Sequence, residues 1–301
     1  MNSIENLKSG QMLSYFQLIE YIGRGKSGQV WSALDTRDNS VVAIKIYTSQ
    51  ASMADKARYE FEIASRMAHS RILSPTEFLI CQEIPIMVMP YCTQRSADGV
   101  AGYIDECLVW RILRDMALAL TYVHEKGYAH LDIKPSNILL AEDKALLSDF
   151  GSCRPCDDVS QNLFVANDGS SFRFDAPEYR NGCYDKKSDI WSLGATIFYL
   201  YMGCHIFNGM GGRAQHMTTK IPIMRNELPE LSDLIKNCLC YVPANRPEAK
   251  DIAAVAEKQY ASCKQQVQQP PRKKVIMPES PEFSIMEDID KYWPEEMHIN
   301  L

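Results

Sequence analysis

Apolar residues recur in short, strand-like runs over the first third of the chain. Five such runs precede residue 92, at 15–23, 28–34, 41–47, 77–83 and 86–91. Turn signals such as "RDNS" separate them, which is typical of neighbouring strands. Residues 54–69 differ, because apolar positions there are spaced three or four apart, as on one face of a helix. The pattern predicts a small β-rich unit that contains one helix.

The pattern becomes mainly helical after residue 100. A strong helical period over 107–127 ends at Gly127, a common helix stop. A β-like stretch follows at 137–150, then a polar loop to about residue 173, then helices to about residue 261. We therefore expect an α+β protein. It divides into an N-terminal extension (1–13), a β-rich part (14–90), a mainly helical part (91–262) and a tail (263–301).

Composition narrows the class of protein. The chain has 301 residues, 46% of them hydrophobic, and a formal net charge of -6. An acidic chain of this kind does not indicate nucleic-acid binding, so any phosphate must be held by a few local groups. The longest nearly apolar run, at 190–203, is too short to span a membrane and is expected to be a buried helix.

Cysteine usage bears on the cellular compartment. Ten cysteines lie at irregular spacings, and the N-terminus shows no apolar signal segment. This favours reduced, mostly buried thiols in a cytoplasmic protein over a disulfide framework. Cys153 and Cys156 form one close pair, for which two loop thiols is the simple interpretation and a redox latch or half a metal site the alternative.

The last part of the chain has a different composition. It opens with "KQQVQQPPRKK", which is typical of a linker, and continues into an acidic and aromatic segment. A disordered tail is the simple interpretation. The alternative is a tail that docks on the domain, or on a partner, through Phe283, Tyr292 and Trp293.

A glycine-rich stretch, "GRGKSGQV", suggests a phosphate-binding backbone. Gly23, Gly25 and Gly28 allow close approach of main-chain atoms to phosphate oxygens. A Walker A loop is excluded because Glu20 occupies the place of its first glycine. A dinucleotide-binding turn is excluded because a β-like run follows instead of a helix. A hairpin whose tip covers phosphates remains, with a purely structural turn as the alternative.

A lysine follows at the end of a half-buried strand. Lys45 closes "VAIK", seventeen residues after Gly28, and burial of its charge requires a carboxylate. The following helix offers Glu60 and Glu62. We expect Glu60 to be the partner, because it shares the stripe of apolar residues whereas Glu62 lies on a polar face.

Two further motifs supply chemistry. "HLDIKPSN" (130–137) contains Asp132, Lys134 and Asn137, and "SDFG" (148–151) contains Asp149. Together with the glycine stretch, "VAIK" and Glu60, and with "APE" (176–178), "SDIWSLG" (188–194) and Arg246, this set resembles the eukaryotic-type protein kinase family. The match runs from about Tyr15 to Ala261, and its eight features stand in the family's order.

The resemblance implies a two-lobed protein kinase fold that transfers the γ-phosphate of ATP to a protein hydroxyl. Asp132 is then the catalytic carboxylate, with Lys134 beside the transferred phosphate and Lys45 on the nucleotide phosphates. Asn137 and Asp149 would hold Mg²⁺, or Mn²⁺ in its place. The implied nucleotide-binding set is Ile22, Gly23, Gly25, Gly28, Val30, Ala43, Lys45, Glu60, Met89, Pro90 and Cys92.

The resemblance also indicates the acceptor. Lys134 is typical of Ser/Thr kinases, and Ser171 matches the residue that closes the substrate site. Both favour Ser and Thr hydroxyls of protein substrates. The motif "HLDIKP" also resembles Wee-type kinases, which modify tyrosine, so a dual-specificity or tyrosine kinase stays open.

The sequence argues against two alternative functions in which the protein does not phosphorylate other proteins. A nucleotide-binding pseudokinase scaffold would lack at least one of four motif residues, and all four are present: Lys45, Asp132, Asn137 and Asp149. A small-molecule kinase would tend to lack the "APE" and "SDIWSLG" motifs, which this chain has.

Leu131 departs from the family pattern. Many kinases have arginine before the catalytic aspartate, where it binds a phosphate on the activation loop. A leucine cannot bind an anion, although it can pack beneath the catalytic loop. The sequence therefore predicts weaker dependence on activation-loop phosphorylation, or another kind of control.

Overall fold

The structure is a computed structural model that describes residues 7–25, 27–47, 51–92, 96–156, 172–181, 183–222 and 228–267. Ser171 lies outside these residues, as does nearly all of the segment expected to be a tail.

An antiparallel sheet forms the first part of the chain. Its strands are β1 (Met12–Leu13), β2 (Phe16–Gly25), β3 (Gly28–Asp35), β4 (Ser40–Tyr47), β5 (Glu77–Cys81) and β6 (Ile84–Pro90). They lie in the order β1-β2-β3-β4-β6-β5, and helix α1 (Ala51–Arg66) follows β4. β1 pairs with β2, so the sheet includes two residues of the segment expected to be an extension.

Strand alternation in β4 decides where its side chains point. Ile44 and Ile46 are fully buried in an apolar cluster with Phe16, Leu18 and other sheet residues. Successive side chains of a strand face opposite sides of the sheet. Lys45 therefore faces the other side, where Tyr47 and Met87 pack against Ala57 of α1.

Helices dominate the second part of the chain. They are α2 (Glu106–Glu125), α3 (Lys186–Met202), α4 (Pro229–Cys238) and α5 (Ala249–Val267). Short strand pairs accompany them, β7 (Tyr128–Ala129) with β10 (Arg154–Pro155) and β8 (Ile138–Leu140) with β9 (Ala145–Leu147). The molecule thus has an α+β, two-lobed architecture. α5 continues five residues into the segment expected to be a linker.

Local signals define the two central helices. Asp105 caps α2 by accepting a hydrogen bond from the Leu108 N–H, and Gly127 follows the helix with φ of +80°. α3 begins with a capping box of Asp185 and Ser188. Residues 190–198 of α3 are all buried inside the helical part. Among the described helices, none combines the length and apolar composition needed to cross a bilayer.

The expectation about cysteines was wrong for one pair and for burial, whereas eight of the ten cysteines take no part in a disulfide. Cys107, in the first turn of α2, forms a disulfide with Cys263 of α5, across 156 residues of sequence. No local spacing signals a pair so far apart, because only the packing of the two helices brings them together. Moreover, of the eight remaining cysteines only Cys153 and Cys238 are buried. Cys153 and Cys156 are not bonded to each other.

The tip of the β2–β3 hairpin yields a stability prediction. A Cβ on Gly28 would overlap the Ile46 carbonyl and lie 2.8 Å from the Tyr47 Cα, whereas one on Gly23 would meet no atom within 4 Å. We expect Gly28→Ala to lower the free energy of unfolding by about 1–3 kcal/mol, as overpacking does. Gly23→Ala should change it by less than about 0.5 kcal/mol. Urea denaturation of both variants tests this, and equal stability of the two would contradict it.

Candidate active site

A buried lysine joins the two parts of the molecule. Lys45 Nζ lies 2.7 and 3.0 Å from the Glu60 carboxylate oxygens and 3.2 Å from Asp149 Oδ1. β4 supplies the ammonium group, α1 the first carboxylate and the segment after β9 the second. Glu62, the other candidate on α1, is exposed.

The three charges shift one another's ionisation. Burial would lower the Lys45 pKa, but the Asp149 and Glu60 carboxylates outweigh it and hold that pKa well above its ordinary value. Burial also disfavours the Asp149 anion, yet the nearby Lys45 and Lys134 ammonium groups keep its pKa well below the usual range. Glu60 is the more deeply buried carboxylate, and burial raises its pKa to about 7. One ammonium group thus compensates two carboxylates incompletely.

The segment that carries Asp149 is fixed on both sides. Asp149 has a left-handed backbone, with φ of 64°. Phe150 is buried and packs edge-on against His130, with ring centroids 4.8 Å apart. A Cβ on Gly151 would lie 3.2 Å from Glu60 Oε2, so glycine permits the close approach of this segment to α1. Tyr59 of α1 also donates a hydrogen bond to the Cys153 carbonyl at 2.9 Å.

The loop between β7 and β8 holds Asp132 against the Lys134 ammonium group and the Asn137 side-chain amide. Lys134 Nζ lies 3.0 and 2.7 Å from the Asp132 carboxylate oxygens. Asn137 Nδ2 donates to the Asp132 carbonyl and to Asp132 Oδ2, both at 2.9 Å. The Asp132 side chain is still 12% exposed, so its carboxylate lies at the surface of the cleft.

A buried carboxylate of α3 anchors the backbone of this loop. Asp189, which is fully buried, accepts hydrogen bonds from the N–H groups of His130 and Leu131 at 2.8 and 2.7 Å. His124 Nε2 lies 2.8 Å from the same carboxylate. Leu131 has a left-handed backbone, with φ of 66°, which is costly for a residue with a side chain. The two charge-assisted hydrogen bonds offset that strain at the residue before Asp132.

A second buried contact supports the loop from below. Tyr179 Oη donates to the Leu131 carbonyl at 3.0 Å. The neighbouring Glu178 carboxylate receives two hydrogen bonds from Arg246, at 2.6 and 2.8 Å. The other three N–H groups of Arg246 donate to the carbonyls of Lys187, Cys240 and Tyr241, so all five donors of this buried guanidinium are used.

The nucleotide-side residues of the sequence lie on the sheet and on the segment that follows it. Gly25 pairs with Gly28 at the hairpin tip, and Gly23 pairs with Val30, which in turn pairs with Lys45. Ala43 pairs with Met89, and Val42 with Pro90. Cys92 follows β6 and is half-buried, whereas Ile22 is 49% exposed on β2.

A divalent cation fits the donor set of the cleft. The Asp149 side chain is 40% exposed, and its carboxylate is ionised because its pKa lies well below the usual range. Asn137 uses its amide nitrogen toward Asp132, which leaves its carbonyl oxygen as an acceptor. In the described part of the chain no three His, Cys, Asp or Glu side chains converge to hold a metal. Such a site suits Mg²⁺, which binds through one or two protein oxygens together with substrate phosphates.

The structure therefore brings Lys45, Glu60 and Asp149 into one cluster and Asp132, Lys134 and Asn137 into another. The supporting contact of Tyr179 with Leu131 and that of His124 with Asp189 were missed by sequence reasoning. Both link positions 48 or more residues apart, and neither has a spacing signal. Ser171 stays a prediction, because it lies outside the described residues.

A curled sheet above a helical part, with a carboxylate loop and a lysine–glutamate pair in the cleft, defines the class of two-lobed kinases. Comparisons with known proteins give the family. The family model for the protein kinase domain matches residues 16–257, and the chain belongs to this family. Membership implies the use of ATP and a divalent metal ion in general.

Several characterised relatives are similar at modest identity. An Aurora kinase of Encephalitozoon cuniculi is 29% identical over 251 residues, covering 78% of this chain and 91% of the relative. The serine/threonine-protein kinase Nek5 of Mus musculus is 30% identical over 255 residues, covering 79% of this chain and 39% of the relative. The chain thus spans most of the first relative but well under half of the second.

A solved structure shares the fold. The kinase domain of Mycobacterium tuberculosis PknI, as a double mutant, superposes with a TM-score of 0.66 at 21% identity. The likeness covers 84% of this chain and 99% of that domain. At this identity the comparison shows the fold alone.

The Asp189 anchor generates a prediction about the catalytic loop. Asp189→Asn keeps the size of the side chain but leaves one buried backbone N–H facing an amide N–H₂. We expect the free energy of unfolding to fall by about 1–3 kcal/mol, because a buried donor loses its acceptor. Thermal or urea unfolding measures this, with exposed Asp55→Asn as the matched control. Equal stability of the two variants would show that Asp189 does not hold the loop.

Proposed function

We propose that this protein is an ATP-dependent serine/threonine protein kinase. The observation that carries the proposal is the arrangement around Asp132, whose carboxylate is held by Lys134 and Asn137 on a loop fixed by Asp189. A carboxylate so placed can orient an acceptor hydroxyl and take its proton. The Lys45–Glu60 contact at 2.7 Å provides an ammonium group for nucleotide phosphates in the same cleft.

In the proposed reaction, the acceptor oxygen forms a bond to the γ-phosphorus while the bond from that phosphorus to the β–γ bridging oxygen breaks, and ADP leaves. Asp132 accepts the hydroxyl proton, and Lys134 stands within reach of both the carboxylate and the transferred group. Lys45 orients the phosphates of ATP. Mg²⁺, or Mn²⁺, held by Asn137 and Asp149, would neutralise phosphate charge when bound.

The nucleotide base would lie between the sheet and the segment 89–92. Ile22, Val30 and Ala43 would contact it from the sheet, and the Pro90 carbonyl and Cys92 N–H would bond its edge. Gly23, Gly25 and Gly28 would cover the phosphates. Ser171 would close the acceptor site beside Asp132. A cytoplasmic location, and domain limits at 14–90 and 91–262, remain expectations from the sequence.

The direct test is phosphoryl transfer by the purified chain with Mg-ATP and a generic Ser/Thr substrate, with phosphosites mapped by mass spectrometry. We expect phosphoserine or phosphothreonine in the wild type. The rate should fall about 100-fold or more in Asp132→Asn, because the proton acceptor is lost. Asp233→Asn, whose carboxylate is 73% exposed on α4, is the matched control.

Two outcomes would contradict the proposed function. Nucleotide binding without transfer to any protein would indicate a scaffold, and phosphate confined to tyrosine would indicate a kinase of the Wee-like type. Loss of transfer in the Asp233 control as well as in Asp132→Asn would show a general defect rather than a catalytic role.

Leu131 leads to a prediction about control. Leu131 is only 5% exposed, and its main chain is held by hydrogen bonds from the Leu131 N–H to Asp189 and from Tyr179 to the Leu131 carbonyl. We therefore expect a phosphatase-treated sample, verified by mass spectrometry, to keep most of its initial transfer rate in a short assay. A sample treated with heat-inactivated phosphatase is the control. Loss of nearly all activity on dephosphorylation would contradict this.

A further inference from the structure

A segment next to the catalytic loop carries positively charged side chains that have no role in the proposed reaction. Residues Phe172–Phe174 form a short 3₁₀ helix just before the "APE" residues. Tyr179, a few residues further on, donates to the Leu131 carbonyl at 3.0 Å. The segment is thereby tied, through Tyr179, to the loop that carries Asp132, beside which the proposed function places the acceptor hydroxyl.

Two exposed arginines lie together on this segment and its neighbour. Arg173 Nη1 lies 3.3 Å from His205 Nε2. The Arg213 guanidinium carbon lies 4.9 Å from the centre of the Phe172 ring, in cation–π contact. Both arginine residues are exposed. Phe172 therefore carries the Arg213 guanidinium group on its ring and directly precedes the exposed Arg173 in the chain.

Backbone contacts fix the position of Arg213. Gly212 donates its N–H to the Asp175 carbonyl at 2.9 Å. A Cβ on Gly211 would overlap the Phe172 carbonyl, and one on Gly212 would overlap the backbone of Ala176 and Pro177. The Gly211–Ala214 turn thus lies directly against the 172–177 backbone, which holds the main chain at Arg213 close to the segment that carries Arg173.

These charges are not neutralised within the described part of the chain. No described carboxylate lies within ion-pair distance of Arg173 or Arg213. By contrast, each of four other arginines forms a salt bridge: Arg37, Arg71, Arg114 and Arg246. Asp98 is the acid whose charge reaches the area. Burial and, after it, the Arg173 charge lower the His205 pKa. The opposing effect of the Asp98 carboxylate is smaller. In a chain of net charge -6, this surface is locally positive.

We propose that Arg173 and Arg213 bind an anionic side chain close to the acceptor residue, so that this kinase selects acidic Ser/Thr sites. Guanidinium groups bind carboxylate and phosphate by the same charge-assisted hydrogen bonds. Asp, Glu or an already phosphorylated residue could therefore supply the anion. The inference rests on the proposed function, since it names the substrate class of the same site.

The test uses a positional library of Ser- and Thr-containing peptides with Asp, Glu, phosphoserine, Ala or Lys at each position around the acceptor. With the full chain, we expect kcat/KM for peptides with an anionic residue at one such position to exceed that for the Ala series by about tenfold, the effect of one added hydrogen bond to a charged group. Comparison of the Glu and phosphoserine series distinguishes a carboxylate from a phosphate ligand.

Charge reversal separates recognition from structure. The double variant R173E/R213E should lose the preference for anionic peptides and favour the Lys series, while its rate with the Ala series stays within about threefold of wild type, because neither side chain is buried. R173K/R213K should retain part of the acidic preference. R66E, which changes an exposed arginine at the end of α1, should leave the whole profile unchanged.

Each remaining outcome counts against the inference. Transfer without an acidic preference, or an equal loss on every peptide in R173E/R213E, would overturn it while leaving the proposed function in place. Failure of the wild type to phosphorylate any peptide or protein would overturn the proposed function and this inference together.

Discussion

The contact of the Lys45 ammonium group with Glu60 and Asp149 is the interaction on which the site depends. It joins β4 and α1 of the β-rich part to the segment after β9, which belongs to the mainly helical part. A buried lysine without a carboxylate would be strongly unfavourable, so the charge itself brings α1 against the sheet. The Asp149 pKa lies well below the usual range and its side chain is 40% exposed, so the cluster presents an ionised carboxylate to solvent. That charge suits a metal–nucleotide complex.

The helical part supplies the second constraint, a rigid frame beneath the catalytic loop. Asp189 from α3, and Tyr179 beside the Glu178–Arg246 pair, bind the loop backbone at Leu131. Leu131 and Asp149 both adopt left-handed conformations, which persist only where the surroundings determine them. The strain lies at Leu131, the residue directly before Asp132, and at Asp149 itself. In this chain the frame is made of buried hydrogen bonds to the loop backbone.

Much of this arrangement could be predicted because it follows local rules. Alternation in β4 places Lys45 opposite Ile44 and Ile46, and the apolar stripe of α1 singles out Glu60 rather than Glu62. The β2–β3 hairpin follows from its glycines, and the boundaries of α2 from its capping residues. Helix α1 begins at Ala51, three residues before its apolar pattern does, because a period shows the buried face and not the first turn.

Contacts between distant segments could not be predicted in this way. The Cys107–Cys263 bond joins residues 156 apart, and the contact of Arg213 with Phe172 depends on how the turn at 211–214 packs against 172–177. The Arg71–Asp115 ion pair, in which a fully buried aspartate accepts from two arginines and the Ala145 N–H, is a similar case. Such contacts are set by tertiary packing, for which neither periodicity nor motif spacing carries a signal.

The most direct test of the account compares single-turnover phosphoryl transfer in Glu60→Gln and Glu62→Gln. The two glutamates lie two positions apart on α1, and only Glu60 contacts Lys45. Loss of a buried charge partner should slow transfer by about tenfold or more in Glu60→Gln. The Glu62→Gln rate should stay within about twofold of wild type, as for other exposed substitutions. Equal rates in the two variants would contradict the central place given to the Lys45 cluster.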